Sequence, residues 1–124
     1  MEWEITWSGD PEDLLVRTSG VASLDGLDAM SQELLTDQRF RPDLRVLIDH
    51  SNLSFTTLTR QDFGLRIDAV DREQRPSGLK IAVVSQRKAD YGLLRMLGTR
   101  IAERTGNEYR VFYTLTAARA WLRE

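Results

Sequence analysis

Asp49, His50 and Ser51 stand in succession, and they are the three side-chain types of a hydrolytic triad. They close the apolar run Leu44-Arg45-Val46-Leu47-Ile48, which reads as an interior strand, so they lie at a strand's carboxyl end, where open α/β sheets place their ligands. Adjacent residues do not readily point at one another as a triad requires, and the chain has no Gly-x-Ser-x-Gly elbow. The expectation is therefore that Asp49 and Ser51 hydrogen-bond the turn backbone while His50 is a solvated loop residue. With one histidine and no cysteine, thiol catalysis, thiolate metal sites and multi-histidine metal centres are excluded, and no metal is expected.

Two further groups carry possible chemistry. Arg87 and Lys88, with Arg95, Arg100 and Arg104, form a locally basic stretch that suits an anion or an acidic partner; Asp90 and Glu103 dilute it, and the plainer assignment is a solvated helix face. Tyr91-Gly92 opens the same helix, whose free backbone N–H groups would favour an anion. The structural alternative has Tyr91 covering the core and Gly92 letting the helix approach the sheet. The glycines are scattered, with neither Gly-x-Gly-x-x-Gly nor the lysine-containing P-loop spacing, so no organic cofactor is expected.

These residues must be positioned by regular elements, and the periodicity supplies them. Trp3, Ile5 and Trp7 alternate with polar residues, and Leu14, Val16 and Thr18 do the same after the turn Ser8-Gly9-Asp10-Pro11, which predicts an antiparallel hairpin. From Ser23 to about Thr36 the period becomes helical, with Leu27, Met30, Leu34 and Leu35 on one stripe. After the strand at 44–49, residues 50–58 read as a loop or brief extended piece through Leu53 and Phe55. Thr59 and Asp62 then cap a helix carrying Phe63, Ile67 and Val70. A second interior strand spans 79–85, a long helix runs from about Asp90 to Arg104 and stops at Gly106, a last strand covers 109–113, and a last helix covers 116–122. This order predicts a single α/β domain over residues 1–124. Its mostly parallel five-stranded sheet has an antiparallel amino-terminal edge strand, with four helices largely on one face.

Composition agrees with that outline. The 124 residues suit one core, and 17 basic against 19 acidic residues give a net charge of −2, which removes the electrostatic case for nucleic acid or a polybasic membrane anchor. The acidic, alternating start is unlike a secretion signal, and no apolar stretch reaches the roughly 20 residues of a membrane span; a cytoplasmic protein with no transmembrane segment is expected.

Val46-Leu47-Ile48-Asp49, Lys80-Ile81-Ala82-Val83-Val84, Tyr91-Gly92 opening a helix, and Val111-Phe112-Tyr113 leading into Ala117-Ala118-Arg119-Ala120-Trp121-Leu122 together form a pattern over nearly the whole chain. It resembles the SpoIIAA-like, or STAS-like, family of small bacterial proteins related to the anti-sigma-factor antagonists. The resemblance implies a superhelix of βα turns with strands in sequential order, an architecture broadly shared with lipid-carrying Sec14-type domains. In the antagonists an Asp-Ser-Ser-Gly-type sequence opens the helix after the third strand, and its serine is phosphorylated by a partner kinase. Here the matching stretch is Phe55-Thr56-Thr57-Leu58-Thr59, without serine or glycine, leaving Thr56, Thr57 and Thr59 as phosphoacceptor candidates that also suit helix capping.

The resemblance and the missing catalytic sets favour a non-enzymatic regulatory or protein-interaction domain. A small apolar ligand or lipid in a pocket near Phe55, Phe63, Leu94 and Leu97 is the alternative, and a cavity of several hundred Å³ would favour it. The expected binding surface joins Asp49, His50 and Ser51 to Arg87, Lys88 and Tyr91 across two loops at one sheet edge. Trp3 and Trp7 carry a further expectation: on an uncovered face they would form a homodimer contact, and on the helix-covered face they would cap the core.

Overall fold

The computed structural model describes residues 1–124. Alternating apolar side chains make the hairpin β1 (Glu2–Trp7) and β2 (Leu14–Val21), which pair antiparallel with Ile5 opposite Val16. Then follow α1 (Leu24–Leu35), β3 (Arg45–Ser54), α2 (Arg60–Arg72), β4 (Lys80–Val84), α3 (Lys88–Thr105), β5 (Glu108–Phe112) and α4 (Leu115–Leu122). The strands lie in the order β1-β2-β3-β4-β5, and every pair after the first is parallel. Parallel pairing sends the ends of β3 and β4 to the same edge.

The helix ends follow from local chemistry. Ser23 caps α1 by accepting from the Gly26 N–H at 3.0 Å. Thr59 and Asp62 form the expected reciprocal box at the start of α2, at 3.1 and 2.9 Å. Gly106, at φ 71°, ends α3 in the left-handed conformation that glycine adopts freely.

Three of the four helices cover one side of the sheet, as expected, and α4 covers the other, so neither side is bare. The larger core joins Leu27, Met30 and Leu34 of α1, Phe63, Ile67 and Val70 of α2, and Leu94, Leu97 and Ile101 of α3 to Val16, Val46, Ile81, Val83 and Val111 of the sheet. Across the sheet, α4 buries Ala118 and Leu122 against Leu47, Ala82 and Val84. Two contacts hold α4 in place: Arg119 Nε donates to both carboxylate oxygens of the buried Glu12 at 3.1 Å, and Lys80 Nζ donates to the Trp121 carbonyl at 2.8 Å.

Trp3, Ile5 and Trp7 pack, half-buried, on the larger core, beneath the helical layer. Trp3 Nε1 donates to the Glu33 carboxylate of α1, and the Arg39 guanidinium lies 4.7 Å from the Trp7 ring centroid. The opposite side of β1 shows Glu2, Glu4 and Thr6 to solvent. The aromatic stripe thus lies on the helix-covered side and packs, half-buried, on the chain's own core.

No helix is long and apolar enough to cross a membrane.

Candidate functional site

A β-bulge separates the three residues that suggested a triad. Arg17 pairs with Asp49 and Ser19 with Asn52, so β3 carries an extra residue at His50-Ser51. Before the bulge Val46 and Ile48 face the larger core, and after it Leu53 and Phe55 do, so of the two expectations for this segment the extended piece holds, as a continuation of β3 to Ser54. His50 turns inward with them, 5% exposed and edge-on to Phe55 at 5.3 Å between centroids, so it is neither solvated nor part of a surface.

The Thr18 hydroxyl donates to the Asp49 carbonyl at 3.2 Å and lies 2.7 Å from His50 Nδ1, which assigns the imidazole proton to Nδ1. Burial pushes the imidazole pKa down to about 4, against the pull of the Asp49 carboxylate. Asp49 keeps its expected turn role: its Oδ1 accepts from the Ser51 N–H at 3.0 Å and from the Ser51 hydroxyl at 2.5 Å, while Arg17 Nε sits 3.8 Å from Oδ2. Histidine bonds neither partner, so no Ser-His-Asp relay is assembled. Asp49 is itself nearly buried.

The remaining edge candidates stay accessible. Arg87, the cap residue of α3, and Lys88 are exposed, and Tyr91 stacks on Tyr113 at 4.2 Å with the rings 9° from parallel. Arg87 Nη1 crosses between loops to donate to Ser54 Oγ at 3.3 Å, and Ser54 Oγ lies 2.9 Å from Thr56 Oγ1. Thr57 donates to the Ala22 carbonyl at 3.2 Å, and Thr59 is committed to its cap. Gly92 is exposed, and an added Cβ would touch nothing there; the close approach of α3 to the sheet occurs at Gly98, against the Tyr109 ring.

A second polar cluster lies inside the fold. A cavity of about 80 Å³ between the sheet and α1, α2 and α3 is walled mostly by apolar side chains, with Ser31, His50, Arg66, Arg75 and Tyr109 among them. Arg66 donates from Nη1 to Asp28 at 3.0 Å and to Glu73 at 3.2 Å, and from Nη2 to Ser31. Arg75 donates to Glu73 from Nε at 2.9 Å and from Nη2 at 2.6 Å, and to Ser31 at 3.5 Å. Burial holds the Arg75 guanidinium below its ordinary pKa, opposed by Glu73. Desolvation pushes the Tyr109 phenol up to about 12, with the two arginines pulling the other way. Sequence reasoning passed over this cluster, although Arg66 falls on the stripe of Phe63, Ile67 and Val70, and Ser31 falls on that of Leu27, Met30 and Leu34.

Sequential strand order, one antiparallel edge and a βα superhelix define an α/β domain of the kind the sequence pattern implies. No protein-family model matches the chain, and no curated protein matches it. Among solved structures, it is similar to an uncharacterized protein from the DUF3478 family with a SpoIIAA-like fold, from Shewanella loihica PV-4. The two are 18% identical with a TM-score of 0.59, over 98% of this chain and 92% of that one. The chain therefore has a SpoIIAA-like fold.

Proposed function

We propose that the protein is a non-enzymatic regulatory domain that docks on a protein partner through the edge bearing Ser54, Thr56, Arg87 and Lys88. The observation that carries this reading is the Arg87–Ser54–Thr56 chain of contacts, which joins two loops at an exposed edge. Thr56 is the best placed phosphoacceptor there, because Thr57 and Thr59 already hold structural bonds. A phosphate on Thr56 adds about two negative charges beside Arg87 and four residues ahead of the α2 amino terminus, and both features favour an anion. Such a modification tightens the two loops and cancels the positive charge of Arg87 and Lys88 that the edge offers a partner.

The test captures partners from an extract of the native organism, using wild type and an Arg87→Ala/Lys88→Ala variant of unchanged thermal stability. Loss of a stoichiometric partner in the variant is expected, together with a mass increment on Thr56 in the native protein. Identical captured sets and an unmodified Thr56 would sink the reading.

A second reading, small-molecule binding, draws on the internal cavity. At about 80 Å³ that cavity is below the roughly 300–1,000 Å³ of common ligand pockets, so a lipid fits only if helices move off the sheet.

A further inference from the structure

β5 is the last strand on its side of the sheet, and no strand pairs with its outer backbone. The Glu108 N–H donates to the Leu79 carbonyl at 2.9 Å, and the Phe112 carbonyl accepts from the Ser85 N–H at 2.9 Å, so alternate residues of β5 turn their peptide groups to β4. The N–H and C=O of Tyr109 and Val111 between them therefore point away from the sheet. Open strand groups of this kind are a template for a further strand.

A cleft of about 260 Å³ runs beside that row, between β5 and α3, lined by Tyr91, Arg95, Thr99, Tyr109, Arg110 and Val111. No carboxylate is among them. Arg95 and Arg110 are exposed and neither forms an ion pair within the fold; Arg100, farther along α3, is also unpaired. The one acid of β5, Glu108, stands at its amino end. Open backbone groups thus run along a positively charged wall.

Charge selects among the strands that could add here. In the antiparallel twofold register that overlaps all of Glu108–Phe112, a second copy of the chain sets Arg110 directly opposite its own counterpart, and like charges in that position are destabilising. A carboxylate there is favourable instead. Consecutive side chains of a strand point to opposite sides. Arg110 lies over Phe112 on the α4 side of the sheet and Arg95 projects from α3 on the other, so neighbouring acids in one incoming strand meet one arginine each.

We propose that the free side of β5 binds an extended acidic segment of another protein, which adds to the sheet through the peptide groups of Tyr109 and Val111 and sets its carboxylates on Arg95 and Arg110. This mode combines main-chain bonding with side-chain selection. The surface shares no residue with Ser54, Thr56, Arg87 and Lys88, so its failure leaves the reading of that edge untouched.

A capped peptide of Val-Glu-Glu repeats, titrated into the full chain and followed by amide NMR and hydrogen exchange, tests the proposal. Saturable shifts and slowed exchange at the Tyr109 and Val111 amides are expected, with cross-strand NOEs to the peptide. Arg95→Glu/Arg110→Glu should weaken binding by about tenfold or more, whereas Arg60→Glu, on α2, should leave it unchanged. The same peptide N-methylated on alternate amides keeps every charge but loses the donors of one side, and it should not bind. If the double variant does not fold, the wild-type NOEs and the N-methylated peptide decide. Equal binding of the N-methylated peptide or of its lysine counterpart, or shifts that miss β5, would overturn the proposal. So would self-association of the chain that protects the same amides without peptide, which would give this side of β5 to a second copy.

Discussion

His50 shows how far one side chain's environment sets the behaviour of the whole. It is buried against Phe55 and held neutral, with its pKa lowered to about 4 from an ordinary 6.5. The unfolded chain then binds more protons than the native one between those values, so the contribution is fully present above pH 6.5 and is lost as pH falls toward 4. The cost of moving from pH 7 to pH 4.5 is about 2 kcal/mol for this group. Urea unfolding at the two pH values should show wild type losing that much more stability than His50→Gln; equal losses would contradict a buried neutral imidazole. Alternation from Val46 and Ile48 already carries His50 to the inner face; what the sequence did not show is the extra residue at His50-Ser51, after which Leu53 and Phe55 become the inward positions and the strand runs on to Ser54. Arg66 was more legible. A charge on the same stripe as Phe63, Ile67 and Val70 must either escape to solvent or find partners inside, and Glu73 and Ser31 are those partners.

Among the elements, α3 makes the sharpest demand on its sequence. Its glycines have opposite surroundings: Gly98 is buried where any Cβ would overlap the Tyr109 ring, while Gly92 is exposed with nothing nearby. Alanine at either position improves helix propensity by about 1 kcal/mol. At Gly98, overpacking of about 1–3 kcal/mol opposes that gain, so Gly98→Ala should lower the denaturation midpoint while Gly92→Ala raises it. Thermal melts of the two variants measure this directly, and a stabilised Gly98→Ala would mean that α3 sits farther from β5. Spacing alone did not separate the two glycines, because the distinction lies in what β5 brings opposite the helix. The caps were plainer: Thr59 with Asp62, and Gly106 after Arg104, marked their helix ends by type and position. The runs in β3 and β4 carry a signal of their own. Strands apolar on consecutive residues bury both faces, so Leu47, Ala82 and Val84 required cover on the side where α4 lies.

At the scale of the molecule, that second layer decides what the amino-terminal tryptophans do. The hairpin's aromatic stripe faces α1 and the larger core, its reverse is polar, and α4 with the Glu12–Arg119 pair closes the other side of the sheet. Trp3 and Trp7 are therefore structural, and removing them should cost folding free energy instead of releasing a subunit. Complete truncation of a buried aromatic costs about 3–5 kcal/mol; for two half-buried rings a combined loss of the same size is expected, a large share of the roughly 5–15 kcal/mol that holds a domain together. The Arg39 stacking on Trp7 and the Trp3–Glu33 bond are lost as well. Trp3→Ser/Trp7→Ser should accordingly melt at a much lower temperature and expose its core, with aggregation in light scattering. A double variant that keeps the wild-type melting temperature while its mass falls from two chains to one would instead put the stripe at an interface between copies.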